Sequence, residues 1–159
     1  MRIWFLTVFF LLTCQVEVSV SHNDLRNVAY GASVYHVSSH PNHPASNAVN
    51  GLLTDFSCTN SGKNPWLRID LGRNFTIRQI EVFARSDCCA GQLHDFNVKV
   101  GKDVDQMHVC GHFTGPAGVG KRMAMWCPTD TVARYVQIQI VEGWHNHLCL
   151  AEVLVWGHL

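Results

Sequence analysis

Beyond its first dozen residues the chain has no apolar run approaching the roughly 20 residues that span a bilayer. It has no net charge, with 12 basic and 12 acidic residues and no basic cluster. Nucleic acids and anionic membranes select concentrated positive charge, so neither is an expected partner. The acidic residues are spread thinly, and no nucleophile–base motif or pair of carboxylates stands out, which argues against an enzyme. No C-x2-C spacing occurs among the seven cysteines, so a thiolate zinc site has no framework. Helical periodicity is nearly absent, as are repeats, low-complexity stretches and linkers.

The N-terminus sets the expected compartment. Arg2 precedes an apolar stretch, Ile3 to Leu12, broken only by Thr7, then a more polar segment with small residues at Ser19 and Ser21. This reads as a secretory signal over residues 1–21, leaving one domain over 22–159 in an extracellular setting. Cys14 departs with the signal. Six cysteines remain: Cys58, Cys88, Cys89, Cys110, Cys127 and Cys149. An even number in an oxidising compartment implies disulfides, though six cysteines allow about 15 connectivities and spacing does not choose among them. Bridging the neighbours Cys88 and Cys89 would close too small a ring to stabilise by loop entropy, so such a bond would serve shape; pairing with distant cysteines is the alternative.

Short alternating or β-branched runs recur between turn signals. The strongest are Trp66–Leu71, Thr76–Arg85, Phe96–Gly101, Ala133–Val141 and Leu148–Trp156, with weaker runs at Gly31–Val37, Met107–Phe113 and Arg122–Cys127. Val136, Ile138 and Ile140 alternate with Gln137 and Gln139, as in a strand with one wet face. About eight short antiparallel strands imply an all-β sandwich or jelly roll whose end loops carry function. The segment Ser38 to Ser57, with two prolines, three asparagines and a glycine, is too long for an idle connection. It reads as a binding loop, an ion-organised loop, or an Asx-rich turn without metal. Asn74-Phe75-Thr76 is a glycosylation sequon.

Five stretches resemble the F-type lectins, or fucolectins, which share the discoidin-like jelly roll. They are Asn27-Val28-Ala29, Asn47-Ala48-Val49-Asn50-Gly51, Asn64-Pro65-Trp66-Leu67-Arg68-Ile69-Asp70-Leu71, Arg85-Ser86-Asp87-Cys88-Cys89 and Cys149-Leu150-Ala151-Glu152-Val153. The Arg-x-Asp-Cys-Cys piece is the most particular to the lectins. The resemblance implies a secreted protein that binds glycans, fucose-containing or related, with multivalency through a homo-oligomer. It implies a Cys88–Cys89 bond forming an apolar plate under the sugar, with Cys110–Cys127 and Cys58–Cys149 as the remaining pairs. Arg85 becomes the main sugar ligand, its planar guanidinium suiting two neighbouring oxygens, with Asp87 orienting it. Two positions where the family carries cationic or imidazole donors are here Asn60 and Gln92. That puts plain fucose recognition in doubt. His36, His40 and His43 fall on the first binding loop, as glycan contacts or solvated residues. A calcium ion is also implied, held by Asn47, Asn50, the carbonyl of Leu52, Ser57 and Glu152. A discoidin-like module that binds protein or phospholipid through the same loops is the rival reading; exposed apolar loop residues with basic flanks would favour it, and the neutral, histidine-rich loop here does not.

Overall fold

Strands whose apolar residues recur at every second position must pair so that those residues share a buried face. In the computed structural model, which describes residues 25–159, they form ten strands in antiparallel pairs. The proposed signal over residues 1–21 lies outside the described residues. The strands are β1 (Arg26–Asn27), β2 (Ser33–His36), β3 (Ser57–Cys58), β4 (Trp66–Phe83), β5 (His94–Gly101), β6 (His108–Pro116), β7 (Arg122–Trp126), β8 (Val132–Ile140), β9 (Cys149–Leu150) and β10 (Glu152–His158). A curled sheet runs β1-β10-β4-β8-β5-β6, with β2 and β7 also on β4, while β3 and β9 form a separate ribbon.

The runs Trp66–Leu71 and Thr76–Arg85, expected as two strands, are one. β4 passes through both layers of the sandwich. Its first half pairs with β2 and β8, and its second half with β7 and β10. The crossover is the exposed bend at Gly72–Asn74, where the pairing to β8 shifts register between Asp70 and Phe75. Gly72 there has φ of +80°, a conformation that favours glycine. Asn74 of the sequon sits on this bend. The run Leu148–Trp156 divides the other way: Ala151 leaves the ladder, so Cys149–Leu150 turns to β3 and Glu152 onward to β4.

Leu67, Ile69, Phe96, Val98, Val136 and Ile138 from one layer meet Ile80, Val82, Met123, Val153 and Val155 from the other in a single core. The polar face of β8 is less wet than its alternation suggests. Gln137 is buried because Arg68 donates to it across the sheet (2.9 Å), and Lys99 donates to Gln139 (2.8 Å). Long charged side chains here lie along the sheet and cover the amides.

Register gathers the functional loops. Trp66 pairs with Gln139 at the end of β8, and Phe83 pairs with Arg122 and Glu152 at the starts of β7 and β10. The loops at these strand ends are tied to one another. Thr59 donates its N–H to Leu148 O (3.1 Å), Gly120 to Arg85 O (2.8 Å), and Ser86 its hydroxyl to Leu53 O (3.4 Å). Disulfides join Cys58 to Cys149, Cys88 to Cys89 and Cys110 to Cys127, the pairing that the resemblance implies.

Candidate functional site

Arg85 follows the last residues of β4, where the alternation that buries Val82 and Ala84 ends and the chain turns into a loop. Its guanidinium is fixed on two sides. Nε and Nη2 donate to the two carboxylate oxygens of Asp87 (2.9 and 2.6 Å), and Nη2 also reaches Cys88 Sγ (3.4 Å). The Phe56 ring lies 3.4 Å from the guanidinium carbon, in a cation–π contact. The Arg85 hydrogen bonds, and then the Cys88 backbone N–H, hold the Asp87 carboxyl well below the usual carboxylate range. The two therefore remain a charged pair at any physiological pH. Nη1 has no hydrogen-bond partner among the described residues.

Cys88 and Cys89 follow as an exposed, bonded pair, and Cys89 takes a left-handed φ of +57°. The chain then closes a short 3-10 turn, Ala90–Gln92, with Gln92 N donating to Cys89 O (2.9 Å). Gln92 is turned inward: its Oε1 is buried and lacks a partner among the described residues. Only its amide nitrogen is left for a ligand. Asn60 is exposed on the loop before β4, with Nδ2 donating to the Ser39 carbonyl (3.3 Å). No hydrogen bond among the described residues links Asn60 or Gln92 to Arg85.

His36 takes a different place from the glycan-contacting one implied by sequence. In β2 it shares the inward-facing side with Val34, while Ser33 and Tyr35 face out. Its Nε2 bonds Ser57 Oγ (2.7 Å), and burial lowers its pKa to about 4, so it is a neutral support for the loop. His43 lies nearer the arginine. Its ring stacks on Phe56 with centroids 3.9 Å apart, and His40 packs behind it at 4.9 Å.

The loop over Glu152 bears on the calcium expectation. Glu152 is 2% exposed. Its Oε2 accepts the N–H of Gly51 (3.0 Å), which Gly51 offers through a φ of +82°, and its Oε1 has no hydrogen-bond partner among the described residues. Asp55 Oδ2 accepts from Asn50 Nδ2 (2.9 Å), and its Oδ1 is likewise buried without a partner. Burial pushes the Glu152 carboxyl up to about 7 despite the Gly51 N–H, with Asp55 adding to the rise. Two buried carboxylate oxygens left without partners suit a hard cation. Asn47, Asn50, the Leu52 carbonyl and Ser57 belong to the same loop or its border. Asn47 donates Nδ2 to Phe56 O (3.1 Å) and Asn50 accepts from Leu52 N (2.9 Å). Asp55 is absent from the sequence-derived set, although an acid in a polar loop is the available signal.

Two further residues escaped the sequence reading. Phe56 has no pattern to mark it, because its role depends on what the loop brings to each side. Asn146 is a buried junction: its backbone exchanges both hydrogen bonds with Gly62 (3.0 and 2.9 Å), and its side chain bonds His94 Nε2 (3.1 Å) and Glu142 O (2.7 Å). It holds the Asn60 loop against the strand that follows Gln92. Beside it Trp144 is 71% exposed, with Lys63 Nζ 3.9 Å from its ring.

A family described as NedA-like, galactose-binding domain matches residues 47–138. Fucolectin of the eel Anguilla anguilla is 32% identical over 124 residues, covering 72% of this chain and 78% of that protein. The lectin domain of lectinolysin, solved with Lewis B antigen, superposes with a TM-score of 0.74 at 26% identity, covering 82% of this chain and 95% of that one. The serum fucolectin of the striped bass, Morone saxatilis, shares the fold with a TM-score of 0.77 at 23% identity, covering 84% of this chain. The present chain spans 49% of that bass protein.

Proposed function

The chain belongs to the NedA-like galactose-binding domain family and to the fucolectins, and from this we propose that its loop end binds fucosylated or related glycans without turnover. The observation that carries this reading is Arg85. A guanidinium locked by Asp87, stacked on Phe56 and set beside an exposed disulfide plate offers directed donors next to an apolar surface. Sugars need both, since each ring has a hydroxyl edge and a C–H face. Asn60 and Gln92 bring no charge, so a glycan larger than a monosaccharide, with further contacts from the 36–43 loop, is the expected ligand. Secretion is inferred from the three disulfides and the N-terminal pattern. A glycan array probed with and without calcium tests the reading. Signals are expected on fucosylated structures such as Lewis b; an array blank under both conditions would exclude it.

Calcium belongs to the same proposal. Glu152, Asp55, Asn50, Ser57, Asn47 and the Leu52 carbonyl would hold the ion, which supplies charge neutralisation to a loop that borders the arginine. With Asp55 included, the set carries two carboxylates in spite of Asn50. Extracellular modules bind calcium at about 10⁻⁴–10⁻³ M, so 10 mM calcium should stabilise the fold by about 1.4–2.7 kcal/mol. The melting temperature is expected to rise by several degrees over that in chelator. Glu152→Ala and Asp55→Ala should each remove the shift, and a wild-type melting curve indifferent to chelator would exclude the ion.

One observation favours the rival reading. Leu52 and Leu53 are 52% and 50% exposed on one loop, and on another Trp144 is 71% exposed with Lys63 Nζ 3.9 Å from its ring. Apolar loop residues with a basic neighbour can enter a lipid interface. Sedimentation with phosphatidylserine vesicles, reduced by Trp144→Ala and by salt, would favour that function over the glycan.

A further inference from the structure

We propose that the outer face of β2, the first half of β4, β8 and β5 is a second ligand site, separate from the Arg85 loop, for a sugar bearing a carboxylate or sulfate. Strand register builds it. Tyr35 pairs with Arg68, Arg68 with Gln137, and Gln137 with Lys99, so these four stand in one row across four strands. The next row toward the loop end holds Trp66 opposite Gln139. The alternate residues Leu67, Ile138 and Val98 are fully buried, so both rows face outward.

Two cations converge on this face without an acid between them. Arg68 Nε donates to Gln137 Oε1 (2.9 Å), and Lys99 Nζ donates to Gln139 Oε1 (2.8 Å). Gln137 Nε2 donates to that same Gln139 oxygen (3.4 Å), so one pair of neutral amides holds both charges. The flanking acids are engaged elsewhere. Asp70, two residues along β4, gives both oxygens to Arg134 (2.7 and 2.8 Å). Asp95 on β5 is held by the Gly115 N–H (2.8 Å) and by His94 (3.1 Å). Arg85, Arg122 and Arg134, by contrast, each grip a carboxylate through two hydrogen bonds. Like charges on a half-buried surface repel more strongly than in open water. An anion placed between them removes that repulsion and gains charge-assisted hydrogen bonds from both. Among the described residues neither Nη of Arg68 forms a hydrogen bond, which leaves the planar fork that suits a carboxylate or sulfate.

Aromatic neighbours make the ligand a sugar rather than a bare anion. The Arg68 guanidinium carbon lies 4.6 Å from the Trp66 ring centroid, and Tyr35, directly across the strand from Arg68, is 56% exposed. The charged fork is thus bordered by two flat apolar surfaces that can take the C–H face of a pyranose. Two cations match a single anionic group. A polyanion needs a longer track of positive charge, and the chain, with 12 basic and 12 acidic residues, has no such run.

The test is an NMR titration of the protein with sialyllactose, sulfated lactose and neutral lactose. The side-chain amides of Gln137 and Gln139 and the Trp66 indole N–H are expected to shift with the two acidic sugars and not with lactose. The stronger of the two responses identifies carboxylate or sulfate as the preferred group. Affinity should fall when salt is raised from about 10 to about 150 mM. Lys99→Gln should bind the acidic sugar about tenfold more weakly, the size of one charge-assisted hydrogen bond, and Arg68→Gln should lose at least as much. Lys99 is half-exposed, so its variant carries the test even if Arg68→Gln fails to fold. Affinity of Lys99→Gln within about threefold of the wild type would overturn the inference. Equal shifts with lactose, or shifts confined to the Ser86–Gln92 loop, would do the same. Inorganic sulfate or single-stranded DNA binding as tightly as either acidic sugar would make the face a general anion surface and also overturn it. Arg85→Lys should leave these titrations unchanged and Lys99→Gln should leave Lewis b binding unchanged, so failure of one site is distinguishable from failure of the other.

Discussion

Arg85→Lys is expected to weaken glycan binding about a hundredfold, although the charge is kept. A lysine ammonium is a compact point charge and cannot lie flat on Phe56 while meeting both oxygens of Asp87. In the native loop the guanidinium does both, with its Nε and Nη2 on Asp87 and its plane against the ring. The remaining edge is thereby aimed before any ligand arrives. Hydrogen bonds to charged groups contribute about 1.5–3 kcal/mol, so losing the directed contact and its preorganisation should cost about 2–3 kcal/mol. That corresponds to a factor of about 30–150 in affinity. Asp87→Asn should cost less, about tenfold, since it loosens the arginine without removing it. Calorimetric titration with the Lewis b oligosaccharide measures both. The ligand is neutral, so the wild-type affinity should vary little with added salt, whereas attachment to anionic lipid would fall steeply. Binding by Arg85→Lys within threefold of the wild type would remove Arg85 from the centre of the site.

The strands were legible because alternation is a local signal, and the core needs it. Val136, Ile138 and Ile140 all reach the interior, as their spacing requires. What was not legible depends on contacts distant in sequence. The merging of two runs into β4 follows from the partners β4 meets on either side, and no turn residue could announce that a bend would remain within one strand. His36 was placed among glycan contacts because it lies in the first loop region, but strand parity with Val34 turns it toward Ser57. Arg85, Asp87 and the cysteine pair were legible as a contiguous motif. Phe56, Asp55 and Asn146 were not, because each matters only through a neighbour that the fold supplies. For Asp55 that neighbour is Glu152, 97 positions along the chain, and for Asn146 it is His94, 52 positions away.

The three disulfides should differ sharply in what they stabilise, and the difference separates shape from stability. Cys58 and Cys149 are 91 residues apart, Cys110 and Cys127 are 17 apart, and Cys88 and Cys89 are adjacent. Closing a loop restricts the unfolded chain in proportion to the logarithm of its length, worth about 4.7 kcal/mol for 100 residues and about 3 for 15. Domains are stable by only about 5–15 kcal/mol, so the first bond is a large fraction of the whole. Cys58→Ala with Cys149→Ala is therefore expected to lower the melting temperature by about 15 °C, and Cys110→Ala with Cys127→Ala by about 10 °C. The first pair of substitutions should also loosen the His40–His43 loop, whose backbone is hydrogen-bonded to Cys58. Cys88→Ala with Cys89→Ala should behave oppositely. A ring of two residues contributes almost no loop entropy, so melting should move by less than about 3 °C, the equivalent of under 1 kcal/mol. Glycan binding should nevertheless fall, because the exposed plate beside Arg85 is gone and Cys89 is no longer held at its positive φ. Scanning calorimetry and titration on the same three variants give the two orders directly. A melting loss at Cys88–Cys89 as large as that at Cys110–Cys127 would make the adjacent bond a structural staple, and the apolar plate would then lose its standing as part of the binding surface.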